Sequence, residues 1–118
     1  GNARAVAEIH AILANGGVAK GRRFMSEAGC LRALQPQVDG VDLVLGVPMR
    51  FGLGFALDTG LMPHPNTLYW GGYGGSLAII DMDAHTTMAY AMNKMSGTTT
   101  GDFRAYSLAM AFWDASSA

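Results

Sequence analysis

The sequence predicts a mixed α/β sandwich in which an antiparallel sheet is flanked by helices. Apolar residues recur at helical spacing near both ends of the chain, whereas in the middle large and small residues alternate with a period of two. The connections in the middle are too short for crossovers, so the strands there should be antiparallel. We expect one segment of a single domain over residues 1–118, with helices at about 3–14, 26–34 and 102–115 and strands at about 50–58, 68–82 and 86–95.

The helices are predicted from capping residues followed by apolar stripes. Asn2 can cap the first helix, and Asn15-Gly16-Gly17 provides a left-handed end to it. Ser26 can cap the second helix, and "SGTTTGD" precedes the third. The third helix carries one apolar stripe that we expect to pack in the core, formed by Phe103, Tyr106, Met110 and Trp113.

The strands are predicted from the alternation in the middle of the chain. "MRFGLGFALD" reads as one strand with a large face and a nearly bare face, and the residues before it, 35–46, read as an irregular connection. "LYWGGYGGSLAIID" reads as a second strand interrupted by glycines, and "TTMAYAMNKM" as a third. Asp81 and Asp83 between them are interpreted as turn residues.

Composition excludes several classes of function. The formal net charge is -1 and the basic residues are scattered, so no nucleic-acid surface is predicted. No stretch approaches the ~20 apolar residues of a membrane span. Cys30 is the only cysteine, which excludes an intrachain disulfide and gives weak support for a reducing, cytoplasmic compartment. Because His10, His64 and His85 have no metal-ligand spacing, we expect no metal site. No cofactor is predicted either.

The glycines at 71, 72, 74 and 75 are the most unusual feature of the sequence. A phosphate-binding loop is disfavoured, because no GK[ST] motif and no helix follows. Two interpretations stay open. The glycines form a β-bulge or tight sheet corner, which composition alone favours, or they keep side chains away from a backbone N–H that binds a developing oxyanion.

Longer stretches of the sequence resemble a known enzyme group. "WGGYGGSLAIIDMDAHTTMAYAMNKM" is similar to the third active-site element, and the two strands after it, of serine hydrolases of the class C β-lactamase and penicillin-binding-protein superfamily. Trp-Gly-Gly in this element is typical of family VIII carboxylesterases. "GNARAVAEIHAILANGG" and "LVLGVPMRFGLGFAL" are similar to an earlier helix and strand of the same family. The resemblance implies the C-terminal portion of a β-lactamase/transpeptidase-like fold.

The resemblance also implies roles for four residues. Trp70, Gly71 and Gly72 would line one wall of the catalytic cleft, and the backbone N–H of Tyr73 would be one donor of the oxyanion hole. Trp70 replaces the lysine that β-lactamases carry at this wall. Neutral or apolar acyl esters are therefore the expected substrates.

The nucleophile that the resemblance implies is missing. No serine of the sequence is followed by lysine three residues later, and Tyr90 does not reproduce the family's tyrosine motif. Ser76 precedes a predicted strand, where a nucleophile elbow needs a helix. We expect an N-terminal remainder, in the same polypeptide or a second chain, to supply the nucleophile, and this chain alone to be inactive. The alternatives are a non-catalytic binding or assembly domain, and a β-lactamase or D-Ala-D-Ala peptidase relative.

Overall fold

The structure, a computed structural model, describes residues 1–116, which fold into three helices, a six-stranded sheet and a small separate hairpin. The helices are α1 (Ala3–Ala14), α2 (Glu27–Leu31, continued by a 3-10 turn at Arg32–Leu34) and α3 (Phe103–Ser116). The strands are β1 (Val18–Ala19), β2 (Arg22–Arg23), β3 (Val38–Val41), β4 (Pro48–Phe51), β5 (Ala56–Leu57), β6 (Thr67–Gly71), β7 (Leu77–Asp81) and β8 (Thr86–Tyr90).

The large sheet is an antiparallel meander in which strands β3 to β8 lie side by side in chain order. Helix α1 is capped by the Asn2 side chain, which accepts a hydrogen bond from the Ala5 amide at 2.9 Å. Helix α2 is capped by Ser26, whose hydroxyl accepts from the Gly29 amide at 3.1 Å. Strands β3 and β8 are the two edges of the sheet, so β8 presents unpaired backbone groups among the described residues.

Each face of the sheet is covered by one long helix. Leu68 and Ile80 are completely buried on the side of α1, where they pack with Ala14. On the opposite side, strand β7 packs against α3. The buried residues of that second cluster are Leu77, Ile79, Ala105, Ala109 and Trp113.

The predicted strand at 50–58 is wrong, because the chain turns back in the middle of it. Strand β4 ends at Phe51, and the Gly52 amide donates to the Phe55 carbonyl at 2.9 Å before β5 begins. Gly54 has a φ of +87°, a left-handed conformation that glycine adopts without strain. A Cβ on Gly52 would collide with the carbonyl oxygen of Ala33. The alternating glycines therefore allow a turn and a close approach.

The single interrupted strand predicted at 68–82 is also wrong. It is a hairpin of two strands, in which Gly71 of β6 pairs with Leu77 of β7. The third predicted strand, 86–95, ends at Tyr90. The region 35–46 is not irregular throughout, because it contains β3, which pairs with β4. All four residues of β3 are exposed, so the strand does not need the alternation of apolar and polar residues by which a half-buried strand is predicted.

The apolar stripe predicted for α3 is mostly not in the core. Phe103 is 85% exposed and Met110 is 49% exposed, whereas Trp113 is only 4% exposed. The helix instead packs on the sheet through Ala105 and Ala109. Small residues allow the helix to approach the sheet closely, and the spacing rule, which weights large side chains, missed this.

Asp81 is more than the turn residue that the sequence suggested. Its side chain is 1% exposed, and it accepts hydrogen bonds from His64 Nδ1 at 2.6 Å and Trp113 Nε1 at 3.0 Å. The amides of Asp83 and Ala84 also donate to it, as expected of a turn. Burial alone would raise the pKa of Asp81, but the hydrogen bonds from Ala84, His64 and Trp113 hold it below its ordinary value.

The pair formed by His64 and Asp81 predicts a pH dependence of stability. The hydrogen bond and the charge of Asp81 raise the pKa of His64, so its contribution is complete below about pH 6.5 and is lost as the pH rises through the folded pKa. The pKa of Asp81 is lowered, so its contribution is complete above about pH 4 and is lost as the pH falls through its folded pKa.

We therefore expect the pair to stabilise most between about pH 4 and pH 6.5. Urea titrations across the pH range measure this, and the control is His64→Gln, which cannot be protonated. The decline in unfolding free energy above about pH 6.5 should be smaller in H64Q than in the unmodified protein. Equal declines would contradict the assignment.

No helix within residues 1–116 is long and apolar enough to cross a membrane.

Candidate active site

The glycine turn, residues 72–76, connects β6 to β7. The Gly72 amide donates to the Ser76 carbonyl at 3.1 Å, and the Gly75 amide donates to the Gly72 carbonyl at 3.3 Å. Gly74 and Gly75 have φ values of +107° and +115°, which residues with a Cβ rarely adopt. The glycines therefore form a tight corner of the sheet, as the first interpretation expected. This does not decide the second interpretation, in which a backbone N–H of the turn binds an oxyanion.

Gly71, the last residue of β6, is required for packing. A Cβ at this position would lie 2.8 Å from the carbonyl oxygen of Thr100 and would collide with the Gly101 amide nitrogen. The segment before α3 therefore lies directly against the strand on that face. Gly71 therefore lacks a side chain because of packing on the α3 face of the sheet. Its opposite face borders a cavity.

A cavity of about 640 Å³ lies on the α1 face of the sheet, beside the glycine turn. Small side chains form most of its floor. Trp70, Ala78 and Ala89 lie in register across β6, β7 and β8, and two of the three are alanine. The first turns of α1 form the opposite wall. The cavity is lined by Trp70, Gly71, Gly72, Ser76, Ala78, Ala89, Val6, His10, Phe55 and further residues around its rim.

Three of the four predicted site residues border this cavity together. Trp70, Gly71 and Gly72 are part of its lining. The Trp70 ring is 40% exposed and packs at a tilt against Phe51, with 5.5 Å between ring centroids. An indole held in this way presents a flat apolar wall.

The fourth predicted residue, Tyr73, is not part of the lining but follows it directly in the glycine turn. Its side chain is 64% exposed. Within residues 1–116 the Tyr73 amide donates no hydrogen bond, whereas the amides of Gly72, Gly74 and Gly75 all do. The Tyr73 N–H is thus unpaired within the described part of the chain.

Two solved structures share this arrangement over nearly the whole chain. A family VIII carboxylesterase superposes with a TM-score of 0.90 at 35% sequence identity, covering 97% of this chain and 31% of its own. A penicillin-binding protein homolog from Caulobacter crescentus superposes with a TM-score of 0.89 at 32% identity, covering 96% of this chain and 31% of its own. No protein-family model and no curated protein sequence matches the chain.

The chain carries part of the β-lactamase and penicillin-binding-protein fold. The resemblance to family VIII carboxylesterases that the sequence indicated is thereby confirmed, as is the α/β class with an antiparallel sheet flanked by helices. The chain spans about a third of the length of both neighbours, 31% in each case.

Two of the polar residues that line the cavity, Ser76 and His10, are not paired with each other, because within residues 1–116 no hydrogen bond joins them. His10 Nδ1 lies 2.7 Å from the Val6 carbonyl oxygen, and its ring packs edge-on against Phe55. The described part of the chain also contains no cluster of three side chains suited to a metal ion.

One polar cluster beside the glycine turn was not predicted from the sequence. The Asp102 cluster consists of Ser96, Asp102 and Arg104, and it lies between the turn and the start of α3. Asp102 accepts from Arg104 Nε at 2.9 Å, and the Ser96 hydroxyl lies 2.9 Å from the same carboxylate oxygen. The hydrogen bond from Arg104, with the one from Ser96, lowers the pKa of Asp102 to about 2. The only sequence signal was Asp102 as a capping residue before α3.

Proposed function

We propose that this chain is a segment of a serine hydrolase, a carboxylesterase that acts on neutral or apolar acyl esters. The observation that carries the proposal is the position of Trp70-Gly71-Gly72 beside the cavity, in a chain that matches a family VIII carboxylesterase along 97% of its length. Trp70 and the two glycines form one wall of the substrate cleft. The nucleophilic serine lies outside residues 1–118.

In the proposed reaction an external serine attacks the ester carbonyl, and the carbonyl oxygen becomes an oxyanion. The Tyr73 N–H donates to that oxygen, the alcohol leaves, and water then hydrolyses the acyl-enzyme. The amide that Tyr73 leaves unpaired supports this role, because a backbone donor already bonded within the sheet could not serve. Gly72 keeps the approach to this amide free of side chains.

The lining of the cavity supports a neutral substrate. Among the described residues that line it, none is Asp, Glu, Lys or Arg. An anionic substrate would lose its hydration in such a cavity without gaining a charged partner, which is costly. A β-lactam with its carboxylate is accordingly the less favoured substrate, although the penicillin-binding protein homolog keeps this alternative in view.

An N-terminal remainder of the hydrolase is the proposed source of the nucleophile and of the assisting tyrosine. This chain offers the remainder two surfaces for packing: the open cavity on the α1 face and the edge of the sheet at β8. A strand edge pairs readily with a further strand. The length of the two neighbours, each about three times that of this chain, is consistent with such a remainder.

A labelling experiment tests the proposed function. The native protein is purified, its intact mass is measured, and it is treated with a fluorophosphonate that modifies activated serines. We expect turnover of p-nitrophenyl butyrate above that of a succinate monoester or a chromogenic β-lactam, and a label on a Ser-x-x-Lys serine outside residues 1–118.

Three other results would contradict the proposal. A label on Ser76 would place the nucleophile in this chain. Faster turnover of the β-lactam would favour the β-lactamase relative. A stable species of 12.4 kDa with neither label nor ester turnover would favour the non-catalytic binding or assembly domain.

A further inference from the structure

The glycine turn has two internal hydrogen bonds but little intrinsic rigidity. It contains three glycines in five residues, and glycine has the largest conformational freedom of any residue. An oxyanion donor must nevertheless be fixed to within about 0.5 Å before the reaction begins. If Tyr73 N–H is such a donor, as the proposed function requires, its orientation has to be imposed by contacts from outside the turn.

Those contacts converge on Gly74, the residue that follows Tyr73. The Gly74 amide donates to the Thr98 carbonyl at 2.8 Å, and the Gly74 carbonyl accepts from the Ser96 amide at 2.9 Å. The Ser96 hydroxyl and Arg104 Nη2 lie 3.1 Å and 3.4 Å from the same carbonyl oxygen. Both polar groups of Gly74 are therefore bonded to a segment more than twenty residues away in sequence.

The Asp102 cluster fixes that segment in turn. Arg104 donates through Nε to Asp102 and through Nη1 to the Lys94 carbonyl at 2.8 Å, so it bridges the start of α3 and the chain before Ser96. Asp102 also accepts from the amides of Arg104 and Ala105, which attaches the carboxylate to the helix. Asp102 and Arg104 leave no room for a side chain at Gly75. The turn is thereby joined to helix α3.

We propose that Ser96, Asp102 and Arg104 are positioning residues that orient the Tyr73 N–H toward the cleft. The inference rests on the proposed function. In it, the Asp102 cluster supplies the rigidity that the glycines lack. Asp102 is ionised throughout the neutral range, since its pKa is about 2. The charged pair is therefore intact under the conditions in which an esterase works.

Two measurements on Asp102→Asn test the inference. In the purified active enzyme that contains this chain, we expect kcat to fall at least tenfold with KM within twofold of the parent, because a misplacement of about 1 Å can cost ~10²-fold. By NMR, we expect the order parameter of the Tyr73 amide to fall from about 0.85 to below about 0.6. Asp102→Glu should recover part of both quantities.

The matched control is Asp58→Asn. Asp58 also accepts two backbone amides in a loop, those of Leu61 and Met62, but it lies at the other end of β6 from the glycine turn. We expect its substitution to leave kcat and the Tyr73 amide unchanged. If Asp102→Asn does not fold, Ser96→Ala is measured instead, since it removes only the hydroxyl between Gly74 and Asp102.

Several outcomes would overturn the inference. An equally ordered Tyr73 amide in the variant refutes positioning, whatever the activity. A rise in KM with unchanged kcat shows that the cluster binds substrate instead. Refutation of this inference can be distinguished from refutation of the proposed function. The proposed function is refuted if the unmodified enzyme has no ester turnover, whereas the NMR measurement on Tyr73 needs no substrate.

Discussion

Replacement of Gly72 by valine in the active enzyme is expected to lower kcat by about 100-fold, or ~3 kcal/mol of transition-state stabilisation. Gly72 borders the cavity and precedes the unpaired Tyr73 amide, so in the proposed mechanism a branched side chain there would obstruct the reacting carbonyl oxygen. The measurement is steady-state kinetics on p-nitrophenyl butyrate, together with a thermal melt to confirm that the fold is kept.

The fold should tolerate this change because the nearest obstacle can move. A Cβ on Gly72 would lie 2.8 Å from Ser76 Oγ, the end of a side chain that can rotate away. Ala28→Val is the control, since Ala28 is exposed on α2 and is not part of the cavity lining. Unchanged kcat in Gly72→Val, or an equal loss in the control, would refute the oxyanion role.

Replacement of Asp81 by alanine is expected to cost about 3 kcal/mol of folding free energy. Asp81 is 1% exposed, and its removal leaves the ring nitrogens of His64 and Trp113 without this acceptor, together with two backbone amides. The loss should appear in chemical denaturation, and as a fall of roughly 10 °C in Tm.

Asp83→Ala is the control for this prediction. Asp83 also accepts hydrogen bonds at the same turn, from the amide and side chain of Asn66, but these contacts are exposed. We expect its substitution to cost less than about 1 kcal/mol. Equal losses for the two variants would show that Asp81 acts only as a turn residue.

Prediction of the candidate site from the sequence depended on residues that are adjacent in the chain. Trp70-Gly71-Gly72 is contiguous, and it lies beside the cavity. The Asp102 cluster could not be recognised in this way, because Gly74 and Arg104 are thirty residues apart. Asp81 and Trp113 are likewise separated by thirty-two residues. No periodicity brings such pairs together before the sheet and α3 have packed.

The glycines show how one local pattern fits two structures. Alternation of large and small residues from Phe51 to Leu57 is compatible with a continuous strand, yet the chain turns there. Gly52 lies against the Ala33 carbonyl, and Gly54 takes a left-handed φ. A glycine is equally consistent with a bare face and with a turn until its neighbour in space is known.

The sequence by itself determined the three helices, the antiparallel pairing of the strands between the second and third of them, the capping of α1 and α2, and the family that the chain resembles. These depend on residues that are close in the chain, where spacing and backbone preference act directly. Only the tertiary structure decided where the strands end and which face of α3 is buried. It also decided which carboxylates accept hydrogen bonds from residues distant in the sequence. Those outcomes depend on contacts between distant segments, whose free energies exceed local preferences once the two faces of the sheet are covered.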